Sequence, residues 1–178
     1  MKTKKNIIFV GGIHGVGKTT LCKKISKELS IDHFSSSDLI SMLDLRRVKQ
    51  DKKVDNIRDN QNMLLESVKC FLDNDKVYLL DGHFSLIDSD NFIQEIPIEV
   101  FELLGIRGII ILFDYEEKIL ERLKGRDNRD YSLQFIRNFQ EKEISYAKQV
   151  AEKIKVPIRI IDISKEESDI TFSVKKLL

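Results

Sequence analysis

The stretch GIHGVGKT, residues 12–19, decides the fold of this chain of 178 residues. It fits the pattern G-x-x-x-x-G-K-[ST], in which glycines let the backbone curl until successive N–H groups point into one concavity that binds phosphate. An apolar run at residues 6–10 precedes it, and a helical pattern over residues 19–29 follows it. This order of strand, loop and helix N-terminus predicts a nucleotide-binding α/β domain.

Each part of this phosphate loop has an expected role. Lys18 is expected to bridge the terminal phosphates of the nucleotide, and the hydroxyl of Thr19 is expected to bind magnesium. His14 is interpreted as a spacer whose backbone does the binding. We therefore predict that ATP or GTP binds with Mg²⁺ to Gly12, Ile13, His14, Gly15, Val16, Gly17, Lys18, Thr19 and Thr20.

The rest of the chain alternates short apolar runs with longer amphipathic segments, which predicts an α/β fold with a largely parallel sheet. Residues 84–95 have no clear period and are predicted to loop over the top of the sheet. No repeat or linker interrupts the chain, so residues 1–178 are predicted to form a single domain. The expected strands are residues 6–10, 31–34, 77–80, 109–113 and 158–163.

The composition argues against several classes of protein. A net charge of +1 gives no electrostatic footprint for nucleic acid or a membrane surface. No apolar run approaches the length of a membrane span. Cys22 and Cys70 are the only cysteines and form no CxxC, which argues against a disulfide framework or a zinc site. We expect a cytoplasmic protein with both thiols buried and no nucleic-acid or membrane partner, while the oligomeric state is not indicated.

A second site is predicted where the strand of residues 77–80 ends at Asp81. At the carboxyl end of a strand beside the phosphate loop, an aspartate can hold magnesium directly or through water. The alternative is an ordinary turn, because Asp81-Gly82 is a common turn pair. We favour the magnesium role for Asp81. His83 would face the same crevice and contact the substrate, although a hydrogen bond within the loop explains it equally well.

Three arginines, Arg122, Arg126 and Arg129, recur around a polar turn. Phosphoryl transfer needs cations on the oxygens that gain charge in the transition state, often from a segment that closes over the nucleotide. The alternative is a solvated charged face in which the arginines pair with neighbouring aspartates. We favour a catalytic role together with Lys18, in a short lid at residues 124–131.

Taken in order, these pieces resemble the P-loop nucleoside monophosphate kinases over nearly the whole chain, with archaeal-type adenylate kinases and their small relatives as the nearest likeness. Asp38 matches the aspartate of their Thr-Gly-Asp-like motif, and residues 80–83 match their Leu-Asp-Gly-Phe or Asp-Thr-His element. Arg122-Leu123 with Arg129-Asp130 resembles their Arg-Leu…Arg-Asp lid. The resemblance implies a three-layer αβα P-loop NTPase fold with a five-stranded parallel sheet in the order 2-3-1-4-5, and an acceptor-binding helical region at residues 35–75.

The acceptor half of the chain departs from this family. Ser41 stands where adenylate kinases have an arginine for the acceptor phosphate, and Ser37 replaces the usual glycine before the aspartate. Residues 51–59 lack a counterpart of the Asp-Arg-Asp-x-Met-Arg stretch. The remaining candidates for binding the acceptor are Asp38, Arg58 and His83.

The resemblance therefore implies an ATP-dependent phosphotransferase that moves the γ-phosphate of Mg-ATP to a small acceptor. A nucleoside monophosphate is the favoured acceptor. One alternative is a kinase for another small molecule, such as a nucleoside, a sugar or a cofactor precursor. The other is a nucleotide-dependent switch or ATPase that acts on a protein partner.

Overall fold

The structure is a computed structural model that describes residues 5–48, 57–88, 90–125, 130–165 and 168–178. For residues 47, 48, 57–59, 168 and 169 only the backbone is described. The strands in these ranges are β1 Asn6–Gly11, β2 Asp32–Ser35, β3 Val77–Asp81, β4 Ser85–Ile87, β5 Ile93–Glu95, β6 Ile106–Phe113 and β7 Ile158–Asp162. The helices are α1 Lys18–Leu29, α2 Ser36–Val48, α3 Ile57–Phe71, α4 Ile98–Leu104, α5 Glu116–Lys124, α6 Leu133–Ile154 and α7 Ser168–Lys175.

Five parallel strands form the main sheet in the order β2-β3-β1-β6-β7. Because β6 and β7 are the fourth and fifth strands expected from the sequence, the predicted order 2-3-1-4-5 is confirmed. In the sheet Val10 pairs with Asp81 on one side and with Ile110 on the other. The carboxyl ends of β1 and β3 therefore lie side by side, and they bring the phosphate loop and Asp81 to the same edge.

The sheet is buried on both faces, as expected of strands that read as continuous apolar runs. Successive residues of a strand point to opposite faces, so Phe9 lies in one hydrophobic cluster while Ile8 and Val10 lie in another. Buried residues of α3, α4 and most of α6 complete the first cluster. Buried residues of α1, α5, α7 and the start of α6 complete the second. These layers form the predicted αβα sandwich.

One segment differs from the prediction. Residues 84–95 were expected to form a loop, but they contain the antiparallel pair β4 and β5, in which Ser85 pairs with Glu95 and Ile87 with Ile93. Each strand has only three residues, which is too short to show a period in the sequence. The turn between them is held by the Asp88 carboxylate, which accepts hydrogen bonds from the backbone N–H groups of Asp90 and Phe92.

Two further expectations concern the thiols and the membrane. Cys22 and Cys70 are both free, and Cys22 is buried as predicted. Cys70 is exposed on α3, so the prediction that it is buried is wrong. Its neighbours Ser67, Val68 and Leu72 occupy the inner face of that part of the chain and leave Cys70 toward solvent. Among the helices in the described ranges, none is long and apolar enough to cross a membrane.

Candidate functional site

The phosphate loop turns sharply between β1 and α1, and its glycines explain how. Gly12, Gly15 and Gly17 have φ angles of 145°, 80° and 102°, in the region that side chains disfavour. A Cβ atom at Gly12 would lie 2.8 Å from the backbone oxygen of Leu112. The pattern of glycines is therefore a requirement of the backbone, and it leaves the N-terminus of α1 open to an anion.

Lys18 begins α1 and lies across this loop. Its side-chain ammonium donates hydrogen bonds to the backbone oxygens of Gly12 at 2.8 Å and Ile13 at 3.1 Å. The residue is only 7% exposed, so these oxygens hold a charge that would otherwise be costly to bury. The ammonium thus lies in the concavity where the sequence predicts phosphate oxygens.

The Asp81 carboxylate lies next to the start of α1 and is fixed from several sides. Its Oδ1 atom accepts a hydrogen bond from the Thr19 hydroxyl at 3.3 Å, and its Oδ2 atom accepts one from Nε2 of His33 at 2.6 Å. The Ser36 hydroxyl donates to the Asp81 backbone oxygen at 2.9 Å. A hydroxyl and a carboxylate are the oxygen ligands that Mg²⁺ prefers, so Thr19 and Asp81 fit the magnesium site predicted for them.

Arg122 of α5 contacts the phosphate loop. Its guanidinium donates to the backbone oxygens of Gly15 at 3.1 Å and Val16 at 3.3 Å, and to the Asp114 carboxylate at 2.8 Å. Gln140 in turn holds the backbone of Asp114: its side chain accepts a hydrogen bond from the Asp114 N–H group and donates one to the Asp114 backbone oxygen. Asp114 therefore aims Arg122 at the loop. The other two predicted lid residues, Arg126 and Arg129, lie outside the described residues.

Glu143 of α6 connects the phosphate loop to the segment after β3. One carboxylate oxygen accepts hydrogen bonds from the backbone N–H groups of Gly12 at 3.3 Å and Phe84 at 2.9 Å. The other accepts from the backbone N–H of Ser85 at 2.8 Å and from its hydroxyl. Glu143 is 1% exposed, and this burial raises its pKa, although the hydrogen bonds from Phe84 and Ser85 oppose the rise. Glu143 therefore fixes two parts of the site to each other.

His83 and His14 lie with their ring centres 4.0 Å apart, between the phosphate loop and β3. Burial lowers the pKa of His83 well below its ordinary value, and the charges of Lys18 and His14 lower it further. Its Nδ1 atom is buried and has no hydrogen-bond partner in the part of the chain that the structure describes. His83 is therefore a neutral ring with one unused polar atom beside the predicted phosphate site.

A cavity of about 260 Å³ opens next to these groups. Its lining combines polar and apolar residues. The polar ones include His14, Ser36, Asn60, Gln61, Asp81 and His83, and the apolar ones include Ile40, Leu64, Val100 and Phe101. No arginine or lysine with a described side chain lines the cavity. Asp38 is exposed in the first turn of α2 and does not line it. The side chain of Arg58 lies outside the described residues.

Sequence reasoning missed His33, Asp114 and Glu143. Asp114 follows the apolar strand β6 directly, which is the same signal that identified Asp81 at the end of β3. Glu143 lies between Phe139 and Tyr146, which are buried residues of α6, so a charged residue at a core position was visible in the helical period. His33 left no signal, because its role depends on pairing between β2 and β3.

The strand order and the phosphate loop together define a P-loop NTPase fold. Comparison with protein families matches residues 11–140 to the family described as AAA domain. Since the match covers more than half of the chain, the protein belongs to the AAA domain family.

Solved structures with this fold are numerous, with 390 matching chains, so the fold by itself does not select an activity. One of them is a gluconokinase from Sinorhizobium meliloti 1021, which is 13% identical with a TM-score of 0.53. The alignment covers 96% of this chain and 89% of that one. None of the curated proteins compared with the chain matches it.

Proposed function

We propose that this protein is a kinase that transfers the γ-phosphate of Mg-ATP to a small acceptor bound in the 260 Å³ cavity. One observation carries the proposal: the donor site and the cavity share residues. His14 belongs to the phosphate loop and lines the cavity. Asp81, at the end of β3, also lines the cavity and contacts Thr19 of the donor site. A nucleotide whose terminal phosphate lies at Lys18 would therefore present that phosphate to an acceptor in the cavity. Positions of this kind supply most of the catalysis in phosphoryl transfer.

The residues of the chain divide into binding and charge-stabilising groups. The backbone from Gly12 to Gly17 binds the phosphates, with Thr20 in the following turn. Lys18 and Arg122 meet the charge that develops on the transferred group. Thr19 and Asp81 hold Mg²⁺, which neutralises charge on the phosphates when it is bound.

The acceptor we favour is a nucleoside monophosphate, on the basis of the sequence resemblance. A monophosphate brings a dianion into the cavity and needs a cation to meet it. Arg58 on α3 is our proposed cation, because α3 also supplies Asn60 and Gln61 to the lining of the cavity. We propose that His83 forms a hydrogen bond with the bound substrate through its Nδ1 atom, either as donor or as acceptor.

A specific observation favours a second acceptor class. Among the described side chains, those that line the cavity are apolar groups, hydroxyls, amides, histidines and one carboxylate, with no fixed cation. Such a lining suits a neutral molecule that carries a hydroxyl group, such as a nucleoside, at least as well as a phosphate ester. This second class keeps the reaction and changes only the acceptor.

An acceptor panel tests the proposal. The protein is incubated with Mg-ATP and a series of monophosphates, nucleosides and sugars, and ADP release is followed for each. A monophosphate should accelerate release, and Arg58→Ala should weaken that acceptor without weakening ATP. The matched control is Arg46→Ala, because Arg46 is an exposed arginine on α2. Stimulation by a neutral acceptor alone selects the second class. If no acceptor stimulates release, a switch or ATPase that acts on a protein partner replaces the kinase.

A further inference from the structure

Three metal-ligating side chains meet beside the phosphate loop. The sulfur of Cys22, a ring nitrogen of His33 and a carboxylate oxygen of Asp81 all lie within 4.8 Å of one another. The three residues come from α1, β2 and β3, so no spacing motif in the sequence predicts this cluster of ligands. Cys22 is fully buried, and the side chains of His33 and Asp81 are each 6% exposed.

The architecture explains this meeting. Thr19 and Cys22 are three residues apart on α1 and so share a face of the helix, which directs both toward the carboxyl end of β3. In the sheet Ser35 pairs with Asp81, so His33 lies two residues before that position on the adjacent strand. Asp81 therefore has the Thr19 hydroxyl at one carboxylate oxygen and the His33 ring at the other, with the Cys22 thiol close by.

The donor set distinguishes between classes of cation. Sulfur, imidazole nitrogen and carboxylate oxygen together are typical ligands of zinc and related thiophilic ions. In a tetrahedral zinc site, bond lengths of 2.0–2.3 Å place the donor atoms roughly 3.3–3.6 Å apart. The His33–Asp81 separation of 2.6 Å is shorter than that distance, and all three donor atoms lie within 4.8 Å of one another. Side-chain rotations that separate His33 from Asp81 would allow the three atoms to share one ion and leave a fourth position for water.

We propose that Cys22, His33 and Asp81 form a binding site for a thiophilic divalent cation of the zinc class, which withdraws Asp81 from magnesium. The proposal that a cation binds here depends only on the geometry of these three residues. The competition with magnesium rests on the proposed function of Asp81. Mg²⁺ takes oxygen ligands, so it would use Thr19 and Asp81 and leave the sulfur untouched.

Binding rearranges two protons. The Cys22 thiol releases its proton to solvent as the metal–sulfur bond forms, and burial, followed by the charge of Asp81, raises the thiol pKa so that the proton stays until then. His33 gives up its hydrogen bond to Asp81 and binds the ion through Nε2, with its ring proton on Nδ1. Asp81 binds as the carboxylate. The ion thus replaces the existing His33–Asp81 hydrogen bond with a bond to each partner.

Cadmium is a suitable probe, because a cadmium–thiolate bond absorbs in the ultraviolet and reports sulfur binding without any activity assay. Chelator-treated protein is titrated with Cd²⁺ and its absorption is recorded. We expect one ion per chain with a thiolate band. Cys22→Ala should lose the band, whereas Cys70→Ser, which alters the exposed thiol, should keep it. His33→Gln places an amide donor near the position of Nε2 and so can keep a hydrogen bond to Asp81, but it removes the imidazole and should weaken binding roughly ten- to a hundredfold.

Thermal unfolding of each variant shows first whether it folds. If Cys22→Ala does not fold, His33→Gln carries the test. Absence of the band in the unchanged protein, or its survival in Cys22→Ala, would overturn the site. Added Mg-ATP should raise the Cd²⁺ concentration needed for half saturation. If Mg-ATP binds by calorimetry but leaves the cadmium titration unchanged, the site stands and its competition with magnesium is wrong. If Mg-ATP does not bind at all, the proposed function fails independently of the metal site.

Discussion

Replacing Glu143 by glutamine tests whether this buried carboxylate holds the site together. Glutamine has the same shape but only one acceptor oxygen. Turned toward Gly12 and Phe84, that oxygen keeps both backbone donors, and the amide NH₂ group then faces the Ser85 backbone N–H. The Ser85 hydroxyl can rotate and accept from the amide, but the backbone N–H loses its acceptor. The opposite orientation would leave two backbone donors unpaired and is therefore less favourable.

One unpaired buried N–H group costs about 1–3 kcal/mol. For a chain of this length each kcal/mol lowers the melting temperature by roughly 2–4 °C, so Glu143→Gln should lower it by roughly 2–12 °C. Thermal unfolding followed by circular dichroism measures the shift. Glu141→Gln is the matched control, because Glu141 is exposed on the same helix and should change stability by less than about 0.5 kcal/mol. Equal melting temperatures for the two variants would refute the role given to Glu143.

Three further outcomes are expected. Arg122→Ala removes a donor that contacts the phosphate loop and should lower kcat roughly a hundredfold with a smaller effect on ATP binding. Steady-state kinetics and calorimetry measure the two effects, and an unchanged kcat would mean that Arg122 has no catalytic role. Thr19→Ala should raise the magnesium concentration needed for half-maximal ADP release. The pKa of Glu143 in the folded protein is raised above 4.5, so its contribution to the unfolding free energy should fall as the pH rises from 4.5 through that pKa. Denaturation of Glu143→Gln at several pH values should lack this fall.

The sequence predicted those parts of the molecule whose signal is local. The phosphate loop and the position of Asp81 follow from glycine spacing and from an apolar run that ends on a polar residue, whereas the strand order followed from the family resemblance. The structure has the loop between β1 and α1, Asp81 at the end of β3 and the strands in that order. The contacts of Glu143 could not be predicted in this way, because it meets a loop 131 residues earlier in the chain. The exposure of Cys70 was misjudged, since a small apolar residue near one edge of a helix face can lie on either side of the boundary.

The acceptor cavity, like the contacts of Glu143, could not be predicted from local sequence. Its polar residues come from the phosphate loop, α2, α3 and the end of β3, and its apolar residues come from several further elements. No single stretch of sequence carries such a pocket, and the family resemblance is weakest in the segments that build it. The placement of the phosphate-loop residues and Asp81 at one edge of the sheet was therefore predictable from motifs, whereas the character of the cavity became visible only from the packing of the helices on the sheet.

The most direct test of phosphotransfer follows the γ-phosphate itself. ATP labelled at the γ-phosphate is mixed with excess protein, Mg²⁺ and the acceptor that best stimulates ADP release, and the products are separated after a single turnover. We predict that the label appears on the acceptor, and that Lys18→Ala abolishes the transfer because it removes the ammonium held in the phosphate loop. Label found only on inorganic phosphate, at the same rate with and without every acceptor, would contradict the assignment of this protein as a kinase.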